Sequence, residues 1–206
     1  MLGDIFSPEG FSNLLLSLPA VLWAITFHEF CHGYAAKLLG DKTAEREGRL
    51  SLNPLDHLDP IGALCLLLFR FGWAKPVPID TRFFKNPKRD IIIVSLAGIA
   101  GNLFTAFVFA QLWRFFPWLF DSNWALRQFM LLMIFINIGL AAFNIIPIPP
   151  LDGSRILYVM LPYKWLKGYY FLEHYGLLFI LPLIALGILP RIMNAISLVM
   201  IRILLI

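Results

Sequence analysis

Long apolar runs set the first limit on what this chain can fold into. Phe11 to about Leu39, Ile91 to about Trp113, Phe129–Ile146 and Tyr170–Leu189 are each close to or above the ~20 residues a helix needs to cross a hydrocarbon core. The composition points the same way, at 59% hydrophobic, 15% charged and a mean hydropathy of +0.75. We read the chain as an all-α polytopic membrane protein with about four to five transmembrane helices. Its 206 residues suit a single domain, and no internal repeat, low-complexity segment or linker divides it. No Arg/Lys stripe with interleaved aromatics appears, so the expected surroundings are the lipid bilayer and not nucleic acid. Two cysteines, Cys31 and Cys65, give no framework of bridges. The first ten residues carry Asp4 and Glu9 and no Lys or Arg, so no cleavable leader is expected and the first span should stay in place.

The stretches between the spans are shorter and more broken. Residues 41–60 are polar, with Asn53-Pro54 and Asp59-Pro60 as breakers. Ile61–Trp73 is apolar, carries Arg70 and is too short to span, which makes it re-entrant or packed at the interface. In Gly72–Ile79, Pro76 and Pro78 forbid a helix interior and predict a small membrane-associated extended or β segment between the first two spans. Thr81–Asp90 reads as a basic turn region, Phe116–Arg127 as a connecting loop and Ile156–Lys167 as a short amphipathic piece. Ile192–Ile206 fits an interfacial helix or a fifth span.

Orientation follows from the basic residues. Ten Lys and Arg fall within residues 37–89 and three within 155–167, against Arg114, Arg127 and Arg191 on the opposite side. This places the chain in the cell (inner or plasma) membrane with its N-terminus outside and both basic regions in the cytoplasm.

Within the first span lies His28-Glu29-Phe30-Cys31-His32, an H-E-x-x-H sequence. On a helix, residues four apart share a face, so both imidazoles can reach one ion while Glu29 serves as a base. Such a pattern arises by chance in roughly one chain of this length in forty, so its setting matters. Ionisable groups this deep in an apolar helix cost about 2.5–3.5 kcal/mol each on insertion scales, which argues for a site over an accident. The predicted topology strengthens the case. His28, His32, Asn102, Asn144 and Asp152 all come to similar depth near the cytoplasmic side.

A two-histidine zinc site wants a further ligand, and a carboxylate is a common choice. Asp152 follows a stiff Pro147-Ile148-Pro149-Pro150 segment, but it could equally cap the helix beginning near Ser154, and spacing leaves both readings open. His57, Asp56 and Asp59 are rival loop ligands, while His174 suits an interfacial or structural role. Asn102 and Asn144 could tie helices together or donate to the oxygen of a tetrahedral intermediate. Gly98 and Gly101 suit close helix packing.

Assembled in this order, the chain resembles the site-2 protease family of intramembrane zinc metalloproteases, in particular its short prokaryotic branch without a PDZ domain. The resemblance covers about residues 20–160, the catalytic core, and leaves the C-terminal helices at about 170–206 outside it. Three motifs carry it: His28-Glu29-Phe30-Cys31-His32, Ser95-Leu96-Ala97-Gly98-Ile99-Ala100-Gly101-Asn102 and Asn144-Ile145-Ile146-Pro147-Ile148-Pro149-Pro150-Leu151-Asp152-Gly153. Gly72–Pro78 also matches a family segment. Ile99 and Ser154 depart from residues common in relatives, Pro and a second Gly.

The resemblance implies Zn2+ on His28, His32 and Asp152, Glu29 as general base, and Asn102 and Asn144 orienting the scissile carbonyl or its oxyanion. It further implies that the edge bearing Trp73, Lys75, Val77 and Ile79 receives unwound substrate, and that substrates are transmembrane proteins or peptides. Two other readings stand beside it: a non-catalytic membrane protein that binds or carries metal ions, and an inactive scaffold that grips transmembrane helices. Neither self-association nor a regulatory partner is specified by the sequence.

Overall fold

Gly40 ends the first helix, α1 (Pro8–Leu38), as the Gly40-Asp41 pair predicts. The Asp41 N–H donates to the Ala36 carbonyl at 2.9 Å and the Gly40 N–H to that of Lys37 at 3.1 Å, the paired bonds of a Schellman stop. Gly40 sits at φ 111°, a backbone conformation that glycine adopts without penalty. The computed structural model describes residues 8–69 and 72–205. Asp4, Arg70 and Ile206, invoked above, lie outside the described residues.

After α1 come α2 (Thr43–Arg46), α3 (Pro60–Phe69), α4 (Pro87–Phe115), α5 (Pro117–Asp121), α6 (Trp124–Asn144), α7 (Gly153–Met160), α8 (Leu166–Ala185) and α9 (Ile188–Leu205). Among the described residues, four segments are long and apolar enough to cross a membrane: Leu15–Leu38, Pro87–Phe115, Trp124–Asn144 and Tyr163–Ala185. The architecture is that of an all-α polytopic membrane protein. The expected β component shrinks to one isolated antiparallel bridge between Leu58 and Ala74, and no strand forms among the described residues.

Two boundaries differ from the sequence expectation. Phe116–Arg127 is mostly helical, because Asn123 starts α6 early: its side-chain oxygen accepts from the N–H of Ala125 at 2.9 Å and of Leu126 at 3.2 Å. The tail helix begins at Ile188, just after Gly187 at φ 72°.

Helices α1, α4 and α6 pack on one another and form the frame of the site. Ile99, Ala106 and Ala110 of α4 meet Ile134, Ile138, Ala141 and Ala142 of α6, with Met200 of α9 completing the cluster. Small side chains at these contacts let membrane helices approach closely, where dispersion and backbone proximity replace the hydrophobic drive available in water. A second cluster, Ile146, Leu151, Ile180 and Leu189, clamps the segment after α6 against α8 and the start of α9. Phe104, Phe135 and Leu178 are more than half exposed and face outward, as a surface covered by acyl chains requires.

Candidate metal centre

His28 and His32 lie one turn apart on α1, and both side chains are buried. Their Nε2 atoms are 2.9 Å apart, and Asp152 Oδ2 lies 3.0 Å from the first and 3.1 Å from the second. Among the described residues, this is the one group of His, Cys, Asp or Glu side chains that could share a metal ion. Asp152 occupies the N-cap position of α7, yet its side chain makes no capping bond and turns to the histidines. The two readings left open by spacing are thereby separated. Buried Leu151 anchors the preceding residue, and Ser154 Oγ donates to the Leu151 carbonyl at 2.6 Å and lies 3.1 Å from the Tyr169 hydroxyl. A side chain at Gly153 would collide with the Ile145 carbonyl, so the residue after Asp152 has to be glycine for the turn to close.

The hydrogen bonds behind the imidazoles decide what the three atoms can hold. His32 Nδ1 is 2.7 Å from the Val94 carbonyl, which can only accept, so that nitrogen carries the proton. His28 Nδ1 is 2.7 Å from Asn102 Oδ1, again an acceptor, so His28 is protonated there as well. In neutral imidazoles both Nε2 atoms then present lone pairs, facing a carboxylate oxygen. Three lone-pair donors converge with no proton donor between them, an arrangement that fits a cation.

Gly98 makes the cluster sterically possible. A Cβ at this position of α4 would lie 2.6 Å from His32 Cε1 and Nε2 and 2.7 Å from His28 Cε1. Gly101, one turn on, faces Cys31, whose role is packing against α4.

The triad opens on a cavity of about 460 Å³ that Glu29 and Asn144 also line. Glu29 is half-buried, and its Oε2 accepts from the Val77 N–H at 2.8 Å. The extended segment carrying Val77 is fixed at several points. Asp41 Oδ2 accepts from the Asp80 N–H at 2.7 Å, the Lys75 N–H donates to the His57 carbonyl at 2.9 Å, and Arg49 Nη2 donates to the carbonyls of Lys75 and Pro76 at 2.9 and 3.2 Å. Neither Arg49 nor Asp41 stands out in the sequence; each sits in a charged loop where solvation is the ordinary expectation.

Of the four expected edge residues, Trp73, Val77 and Ile79 line the cavity and Lys75 does not. Both backbone polar groups of Lys75 bond to the 49–57 loop, the N–H to the His57 carbonyl and the carbonyl to Arg49. Asn144 does line the cavity, and one of its amide hydrogens goes to the Leu140 carbonyl at 3.1 Å. Asn102 departs from the expected role. It is fully buried behind His28, and its Nδ2 donates to the Ala24 carbonyl at 2.9 Å and to Asn137 Oδ1 at 3.0 Å, leaving no donor for a substrate oxygen. His57 is buried with Nε2 against the Ser51 carbonyl, Asp59 caps the Gly62 N–H, and His174 is exposed beside Tyr175; none belongs to the cluster.

Comparison with known proteins agrees with this geometry. Residues 120–170 match the model of peptidase family M50. A Bacillus subtilis protein named "Putative zinc metalloprotease YwhC" is 42% identical over 144 residues, covering 68% of this chain and 66% of that protein. "Putative zinc metalloprotease Rip2" of Mycolicibacterium smegmatis is 31% identical over 150 residues, covering 69% of this chain and 56% of that one. "Putative zinc metalloprotease MJ0611" of Methanocaldococcus jannaschii is 31% identical over 159 residues, covering 74% and 75%. No solved structure matches. The chain is thus a multi-pass membrane protein of the metallopeptidase class. It belongs to peptidase family M50, the site-2 protease family, and it spans less than two thirds of Rip2 and about two thirds of YwhC.

Proposed function

We propose that this protein is an intramembrane zinc metalloendopeptidase that cuts membrane-protein substrates in or next to their transmembrane segments. The observation that carries this reading is the triangle of two imidazole nitrogens and a carboxylate oxygen, 2.9–3.1 Å apart, on the wall of a cavity shared with Glu29. His28, His32 and Asp152 are the residues that would hold zinc. When bound, the ion supplies Lewis acidity toward a carbonyl oxygen and brings the pKa of water at its open position toward about 7.

The remaining chemistry belongs to the chain. Glu29 is the general base: it takes the proton of the attacking water and passes it to the leaving amide nitrogen. Its Oε2 is already engaged by the Val77 N–H, which leaves Oε1 for the proton. Asn144 has a second amide hydrogen beyond the one given to Leu140, and we assign it to the substrate carbonyl oxygen. A donor of this kind is worth about 2.7–4 kcal/mol in the transition state. Substrate enters unwound, because helical amides are bonded and shielded, and it lies along Trp73, Val77 and Ile79 with backbone pairing that is indifferent to side chains. The basic residues clustered at the His32 end of α1, exposed Lys42, Arg46, Lys85 and Lys88 among them, support an N-terminus outside and a site nearer the cytoplasmic face.

The test is metal analysis beside cleavage of a model transmembrane substrate by the purified full chain. Glu29→Gln is expected to keep about one zinc per chain and to lose cleavage, whereas Asp152→Ala is expected to lose the metal. Wild-type cutting by Glu29→Gln would overturn the mechanism. Zinc bound without any cleavage would favour a metal-carrying protein, and wild type with no zinc would favour a helix-gripping scaffold.

A further inference from the structure

Two buried amide side chains, Asn137 and Asn102, stand in line behind the metal cluster, and each can face only one way. At the far end, Asn137 of α6 donates from Nδ2 to the Met133 carbonyl at 2.7 Å, which turns its Oδ1 toward Asn102. Asn102 of α4 then donates from Nδ2 to that Oδ1 at 3.0 Å and to the Ala24 carbonyl of α1 at 2.9 Å. With its amide nitrogen so engaged, Asn102 has only Oδ1 to offer His28, whose Nδ1 lies 2.7 Å away. Both asparagines are 0% exposed and lie off the cavity, so neither can meet substrate.

The polarity of the line is dictated at both ends by backbone carbonyls, which accept and cannot donate. Reversing the Asn102 amide would set its oxygen against two acceptors at once, the Ala24 carbonyl and Asn137 Oδ1. It would also force the His28 proton onto Nε2, the atom that has to be a bare lone pair for a cation to bind. From this we infer that Asn137 and Asn102 are positioning residues acting in series: Asn137 fixes the Asn102 amide, and Asn102 fixes the tautomer and ring plane of His28. The same line ties α1, α4 and α6 together at one depth, so metal affinity and the packing of these three helices are linked. The inference rests on the zinc reading above.

The experiment uses the full chain in detergent micelles or nanodiscs, stripped of metal and titrated with Co2+ against a chromophoric chelator. Asn102→Leu should weaken Co2+ binding by about 10–100-fold, the usual cost of losing an outer partner of a ligating histidine. Asn137→Leu should weaken it less, because the Ala24 carbonyl still holds Asn102, and should shift the Co2+ visible bands in the same sense. In the Asn102→Leu background the Asn137 change should add little, since its effect runs through Asn102. Nitrogen-15 NMR of labelled histidine should show His28 protonated at Nδ1 in wild type and mixed between nitrogens in Asn102→Leu. Wild-type affinity and bands in both variants would overturn the proposal, as would fully additive losses that follow melting temperature alone. Absence of Co2+ binding by wild type would instead overturn the zinc reading beneath it.

Discussion

One methyl group at Gly98 is expected to separate folding from metal binding. A Cβ there meets both imidazoles at 2.6–2.7 Å, and relief requires the rings to swing or α4 to retreat. Gly98→Ala should lower zinc content well below one per chain at about 1–3 kcal/mol of strain, with helicity by circular dichroism unchanged; full occupancy would show that the rings have room. Residue by residue, the sequence exposes the cluster unevenly. The pairing of His28 and His32 is legible because the 3.6-residue period is fixed. Asp152 is legible only through the Asn144–Gly153 motif that carries the resemblance. On spacing alone an aspartate ahead of a helix serves equally well as a cap, and it is the turn through Pro147–Pro150 that brings its carboxylate back to α1. Asn102 is misread for a related reason. An amide in an apolar helix is conspicuous, but what it faces depends on three helices packing together. Asn137 gives the same signal and goes unnoticed for want of a motif around it.

The extended segment between α3 and α4 shows what a proline pattern can and cannot reveal at the scale of an element. Pro76 and Pro78 exclude helix, but the side facing the cavity is set by Arg49 and His57, distant in the chain. Arg49→Met keeps the apolar stem and removes both bonds to the Lys75 and Pro76 carbonyls. It is expected to speed amide hydrogen exchange over residues 73–79 and to slow substrate cleavage several-fold with zinc retained; unchanged exchange would show that the segment is held without it. The turn that follows responds to acid. Arg82, through its side chain and its N–H, keeps the Asp80 carboxyl below the usual range. Because the folded value is lowered, the turn gains from Asp80 above the ordinary carboxylate pKa of about 3.9, and that gain fades only as pH falls further. Protection of the Arg82 N–H should therefore hold from pH 8 to 5 and decline below about 4.

Across the whole molecule, the apolar run lengths make the candidate spans legible, while α5 and the early start of α6 hide in a polar stretch. The proposed direction is open to a labelling test. With Ser122→Cys, a membrane-impermeant thiol reagent should react in intact cells; with Lys85→Cys it should react only after permeabilisation, and the reverse pattern would invert the topology. The bond between Glu29 and the Val77 amide has a consequence at this scale too. Under the proposed function it would fasten the base, Glu29, to the edge assigned to substrate, so a peptide that shifted this edge would change how many donors the carboxylate has. Arrival of a substrate and readiness of the base would then be one mechanical event, and with the edge undisturbed one oxygen of the carboxylate stays engaged.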